Sequence, residues 1–148
     1  GVLAAKAFGM GFTDTDLLIQ RNCGMLLQEY IDANGNDAFL ALEETVLTAL
    51  SAKNTVIATG GSAVYSKAAM CHLNKIGTVI YLHISLDEIK KRIGGTSSRG
   101  IVYRNANTLD GVYAERIPLY EKYADITVDC DKKAPEAIID EIKSKYKK

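Results

Sequence analysis

"NTVIATGGS" (residues 54–62) decides how this chain folds. Its first half is β-branched and apolar, and two glycines and a serine end it, which reads as a strand running into a turn. "TVIYLHIS" (residues 78–85) is a second apolar strand, and "SKAAMCHLNKIG" (residues 66–77) between them reads as a helix. Continuous apolar strands joined through a helix predict a parallel sheet covered on both faces. The same alternation extends outward. Ahead lie helical "VLAAKAF" (2–8) closed by Gly9, the stretch "GFTDTD" (11–16), helical "DLLIQRN" (16–22) and "MLLQEYIDANG" (25–35), and a longer helix in "NDAFLALEETVLTALSAK" (36–53). That longer helix carries Phe39, Leu42, Val46, Leu47 and Leu50 on one stripe. Behind lie helical "LDEIKKRI" (86–93), the loop "GGTSSRGIVYRNANT" (94–108), helical "LDGVYAERIPLYEKYA" (109–124), the strand "DITVDC" (125–130) and a last helix with Pro135 in its first turn. The prediction is an α/β sandwich built on a mostly parallel sheet.

With 148 residues and 47% hydrophobic side chains, the chain can bury one substantial core, so a single domain over 1–148 is expected. Eighteen basic residues balance eighteen acidic ones, which leaves no broad electrostatic footprint for nucleic acid or an anionic membrane. A monomer acting on a small molecule is the expectation. No apolar run has the length of a membrane span, and the apolar start is interrupted by Lys6 without a charged leader or cleavage site, so a cytoplasmic location is expected. Cys23, Cys71 and Cys130 lack metal-ligand spacing and read as reduced thiols without chemistry.

In parallel sheets ligands collect beyond the carboxyl ends of the strands, so the polar residues there are the candidates. Asp14 and Asp16 lie two apart where a strand runs out; either both carboxylates face one pocket, or Asp16 caps the helix that follows. Gly60, Gly61 and Ser62 end the next strand, either as a plain turn or as a place where a ligand approaches the backbone closely. Arg92, Arg99 and Arg104 bracket a glycine-containing loop at about 94–107, which has few apolar anchors and is expected to be a mobile lid. Arg116 lies inside a helix before "PLY", where a surface salt bridge is the default reading.

Taken in order, "FTDTDLLI" (12–19), "NTVIATGGSAV" (54–64), "RIGGTSSRG" (92–100), "ERIPLYEKYADITVD" (115–129) and Pro135 resemble the shikimate kinase family over essentially the whole chain. The resemblance implies a three-layer α/β sandwich of P-loop kinase type that uses ATP and Mg²⁺ to phosphorylate a small polyol acid, shikimate first among candidates. It implies that Asp16 positions the attacking hydroxyl, as a general base, and that Asp14 helps hold Mg²⁺ through water. Gly60 and Gly61, with Ser62 beside them, would bring backbone donors to the acceptor, and Arg116 would pair with its carboxylate. Arg99 would fold over the ATP phosphates, and Arg92 and Pro135 would sandwich the adenine.

The chain departs from that family at three places. Leu40 stands where an arginine follows the phenylalanine and meets the acceptor's carboxylate, Ser62 replaces a third glycine, and the lid's Arg-Pro is Arg99-Gly100. A kinase for another hydroxylated molecule, or a non-catalytic nucleotide-binding domain, are the competing readings, and Arg104 is a candidate for supplying the charge absent at Leu40. The family's central first strand and its phosphate-binding loop ending in Gly-Lys-Ser/Thr have no counterpart in the chain. The expectations are that an N-terminal segment is missing and that a gap or a foreign strand separates "TVIAT" from "TVIYLHI".

Overall fold

The structure is a computed structural model that describes residues 1–93, 102, 104–105 and 108–146. Its first strand, β1 (Gly11–Asp14), follows α1 (Val2–Phe8), which ends at Gly9 in the left-handed conformation at φ 64°. Glycine adopts that conformation without steric cost. Three helices come next: α2 (Thr15–Cys23), α3 (Leu27–Asn34) and α4 (Asn36–Thr48). The second strand, β2 (Thr55–Ala58), pairs in parallel with β1, Gly11 opposite Thr55 and Asp14 opposite Ala58. A short 3₁₀ helix (Gly61–Tyr65) and α5 (Lys67–Ile76) lead to β3 (Ile80–His83). After α6 (Leu86–Ile93) and α7 (Leu109–Tyr123), β4 (Ile126–Asp129) pairs in parallel with β3, Ile80 opposite Ile126 and His83 opposite Asp129. The last helix, α8 (Pro135–Lys145), starts with its proline in the first turn, where no backbone donor is required.

The α/β class and the parallel pairing are as the sequence predicts. The expected break is also there: β2 pairs with β1 and β3 with β4, and among the described residues no ladder joins the two sheets. One consequence departs from the sequence reading. Strands covered on both faces were expected, yet among the described strand residues only Val128 is fully buried, and Phe12 and Leu82 are exposed. Among the described residues each sheet has two strands, so neither contains a central strand, where coverage on both faces is greatest.

Three apolar clusters hold the elements. Leu47 of α4 meets Ala63, Val64, Ala69, Met70 and Leu73 around the 3₁₀ helix and α5. Ile19 of α2 and Phe39 of α4 enclose Val102. Val128 of β4, Cys130 and Ile142 of α8 form the third, with Phe8 against them.

Two local expectations are corrected. Gly61 and Ser62 do not form a plain turn but open the 3₁₀ helix, whose Ser62, Ala63 and Val64 are buried. The cap of α2 is Asp14 and not Asp16: Asp14 Oδ1 accepts from the Asp16 backbone N at 2.9 Å, which satisfies a donor at the helix start. Asp16 is therefore helical, and the two carboxylates do not share one face of an extended strand. The loop at about 94–107, expected to have few apolar anchors, has one among the described residues, Val102, buried at 4% exposure. The rest of the lid expectation, with Arg99, lies outside the described residues. Among the described residues no helix is long and apolar enough to cross a membrane.

Candidate active site

The carboxyl ends of β1 and β2 lie side by side, because Asp14 and Ala58 are register partners. The backbone beyond β2 is pinned at Gly60 and Gly61. A Cβ on Gly60 would stand 3.2 Å from both Asp16 Oδ1 and Glu43 Oε1. On Gly61 it would stand 2.8 Å from Tyr120 Oη and 2.9 Å from Arg116 Nη1. Two consecutive glycines thus put α2 and α4 carboxylates against one residue and α7 donors against the next. A side chain at Gly61 would push the ends of Tyr120 and Arg116 out of place, and both side chains make hydrogen bonds that this would disturb.

Arg116 is half-buried and already engaged, unlike the surface salt bridge expected of it. Its Nε donates to Tyr65 Oη at 3.2 Å and its Nη2 to the Val102 carbonyl at 2.6 Å. Tyr120 Oη donates to the Gly61 carbonyl at 2.8 Å. Burial works against the Arg116 charge, but the Tyr65 hydrogen bond and the Tyr120 and Tyr65 hydroxyls outweigh it and hold its pKa above the ordinary value.

Glu43 is 2% exposed, and its Oε1 has no hydrogen-bond partner among the described residues. Burial pushes its pKa up to about 7; the Ser62 hydroxyl pulls against that, the Asp16 charge adds to it and the Arg116 charge opposes it. Asp16 is also raised, by burial first and by the Asp14 charge second. A carboxyl with a raised pKa is a better proton acceptor than an ordinary surface aspartate.

The structure therefore brings Asp16, Gly60, Gly61, Ser62 and Arg116 together, with Asp14 joined to them through the Asp16 backbone. It does not bring Arg92 or Pro135 to this group. Both follow strands of the other sheet, and both are exposed; Arg92 Nε donates to Glu88 Oε1 at 3.0 Å, and Pro135 opens α8. Glu43, Tyr65 and Tyr120 were not singled out from the sequence. Glu43 carried one signal, a carboxylate four residues after Phe39 and four before Leu47 on the apolar stripe of α4.

The family model for shikimate kinase matches residues 1–147. The chain belongs to the shikimate kinase family. It is 34% identical over 144 residues to the shikimate kinase of Mycobacterium marinum, covering 95% of this chain and 78% of that relative. It is 32% identical to that of Pseudomonas aeruginosa, covering 100% of this chain and 88% of the relative. Among solved structures, shikimate kinase from Aquifex aeolicus superposes with a TM-score of 0.81 at 29% identity, covering 97% of this chain and 85% of that one. Shikimate kinase from Acinetobacter baumannii in complex with shikimate gives 0.84 at 26% identity, covering 95% and 80%.

Shikimate kinases are phosphotransferases with an alcohol acceptor, and ATP is the family's phosphoryl donor. Two of this chain's departures from the family pattern fall in one place: Leu40 and Ser62 both line a cavity of about 230 Å³ that Glu43 and Tyr65 also border.

Proposed function

We propose that the protein transfers the γ-phosphoryl group of ATP to a ring hydroxyl of shikimate, giving shikimate 3-phosphate and ADP, within aromatic amino-acid biosynthesis. One observation carries this reading: a carboxylate at Gly60 and a guanidinium at Gly61 confront the two ends of one small site. A hydroxylated acid presents the matching pair, an alcohol and a carboxylate. The Acinetobacter baumannii relative, solved in complex with shikimate, supports the choice of acid.

In this reading Asp16 accepts the hydroxyl proton as the hydroxyl oxygen bonds to the γ-phosphorus and the β–γ bridging oxygen leaves with ADP. The protein's work is positioning and charge neutralisation, as in phosphoryl transfer generally. Arg116, whose Nη1 lies beside Gly61, holds the acid's carboxylate, and the Gly60 and Gly61 backbone leaves room for the ring. Ser62 lies beside them. The residues fit Mg²⁺: Asp14 spends Oδ1 on the helix cap and keeps Oδ2 as a hard oxygen donor, suited to an ion that retains most of its waters. Bound there, Mg²⁺ would neutralise phosphate charge. Arg92 and Pro135 are the proposed faces of the adenine slot, and Arg99 the proposed cover of the phosphates, on a lid at about 94–107.

Asp16→Asn in the full-length protein tests the assignment. It should lower kcat by about 10²-fold or more while shikimate affinity by calorimetry changes little. Full retention of kcat would remove Asp16 from the chemistry.

A further inference from the structure

Arg116 has part of its fork committed to the protein before any carboxylate arrives. Nε and Nη2 already serve Tyr65 and the Val102 carbonyl, and the Tyr120 hydroxyl stands against the same guanidinium, so few of its donors are left for a ligand. A bidentate guanidinium–carboxylate pair needs two parallel donors, and a carboxylate held by a single Arg116 donor leaves one oxygen to be met by another group.

The same tyrosine carries a second guanidinium. Arg104 Cζ lies 5.4 Å from the centre of the Tyr65 ring, and Arg116 Cζ lies 5.2 Å from it. Arg104 makes no hydrogen bond or ion pair to any described residue, and it lines the cavity of about 230 Å³. The other described walls supply no cation: Leu40 is apolar, Ser62 is neutral and Glu44 accepts from Ser66 Oγ at 2.5 Å. Stacking on a ring fixes the plane of a guanidinium while leaving its N–H edge free. Two cations sharing one ring also repel each other, and an anion reaching both relieves that repulsion.

We propose that Arg104 is the second carboxylate-binding residue of the acceptor site, completing with Arg116 a split clamp on Tyr65 that selects an acidic acceptor over a neutral polyol. The proposal rests on the functional reading above and goes beyond it by naming what sets acceptor class. Burial of Glu43 is consistent with it, because a carboxyl kept neutral up to about pH 7 puts little negative charge on the wall facing the acid.

The test uses the full-length protein with shikimate, ATP and Mg²⁺. Arg104→Leu should raise the KM for shikimate about ten-fold or more, with kcat held within about two-fold and the KM for ATP unchanged. Arg104→Lys should recover part of the loss, as a point charge without the planar fork. Adding Leu40→Arg to Arg104→Leu should recover most of it, since residue 40 lines the same cavity from α4. An unchanged shikimate KM in active Arg104→Leu, or a rise confined to ATP, overturns the proposal and leaves the kinase reading standing. A wild-type enzyme that phosphorylates ATP-dependently but ignores shikimate overturns both.

Discussion

Glu43 is the one fully buried charged residue among those described, and its raised pKa makes stability depend on pH. An unfolded glutamate ionises near its ordinary 4.5, whereas the folded one holds its proton up to about 7. Between those values the native state binds more protons than the unfolded state, so stability falls as pH rises through the window, by about 3 kcal/mol in total. Glu43→Gln keeps the shape without the titration. Urea midpoints from pH 4.5 to 8 should fall for the wild type relative to the variant; parallel profiles would contradict it. Arg116→Met should weaken shikimate binding by about ten-fold or more, since it removes a charge-assisted contact along with the bonds to Tyr65 and Val102. An unchanged dissociation constant in calorimetry would exclude Arg116 from the site. Asp16, Gly60, Gly61 and Arg116 were legible in the sequence because they sit in short motifs at strand ends. Glu43 and Tyr65 were not, because their importance comes from what packs over them: an acidic residue on an apolar stripe has no fixed meaning until its neighbours are known.

At the scale of elements, Asp14 is given two tasks that substitution separates. Asp14→Ala should lose the α2 cap, at a cost of about 1 kcal/mol, and also the proposed Mg²⁺ contact. Asp14→Asn should keep the cap, because asparagine accepts the same backbone bond, and still lose Mg²⁺-dependent turnover. Equal thermal midpoints for the two variants would deny the cap its role; full activity in Asp14→Asn would deny the metal contact. Gly61→Ala should leave secondary structure intact but displace Arg116 and Tyr120, whose atoms lie within 3 Å of the added carbon. A clear rise in shikimate KM by steady-state kinetics is the expected result. Most helices and strands were read to within about two residues of their ends, Pro135 and Gly9 among the markers, but α4 ends at Thr48 and not at residue 53, so Leu50 lies beyond it. The 3₁₀ helix was not, since Gly-Gly-Ser reads locally as a turn, and its form depends on the burial of Ser62, Ala63 and Val64.

At the scale of the whole molecule, among the described residues no ladder joins the β1–β2 pair to the β3–β4 pair. Unpaired ladder groups and half-covered apolar strands are destabilising. Fusing the first strand of a shikimate kinase relative to residue 1 should raise the unfolding midpoint of residues 1–148 by about 5 °C or more. No shift would mean that the edges are satisfied in another way. The parallel class was legible because apolar strands alternated with helices. The division into two sheets could be expected only from the family's strand order, since nothing in "TVIAT" or "TVIYLHI" says which edge goes unpaired. The central claim concerns the reaction, and ADP release measured for the full-length protein with ATP and Mg²⁺ tests it most directly, with shikimate and a panel of neutral ring polyols as acceptors. Shikimate should drive ADP release and the neutral polyols should not. Robust release with a neutral polyol and none with shikimate would contradict the account.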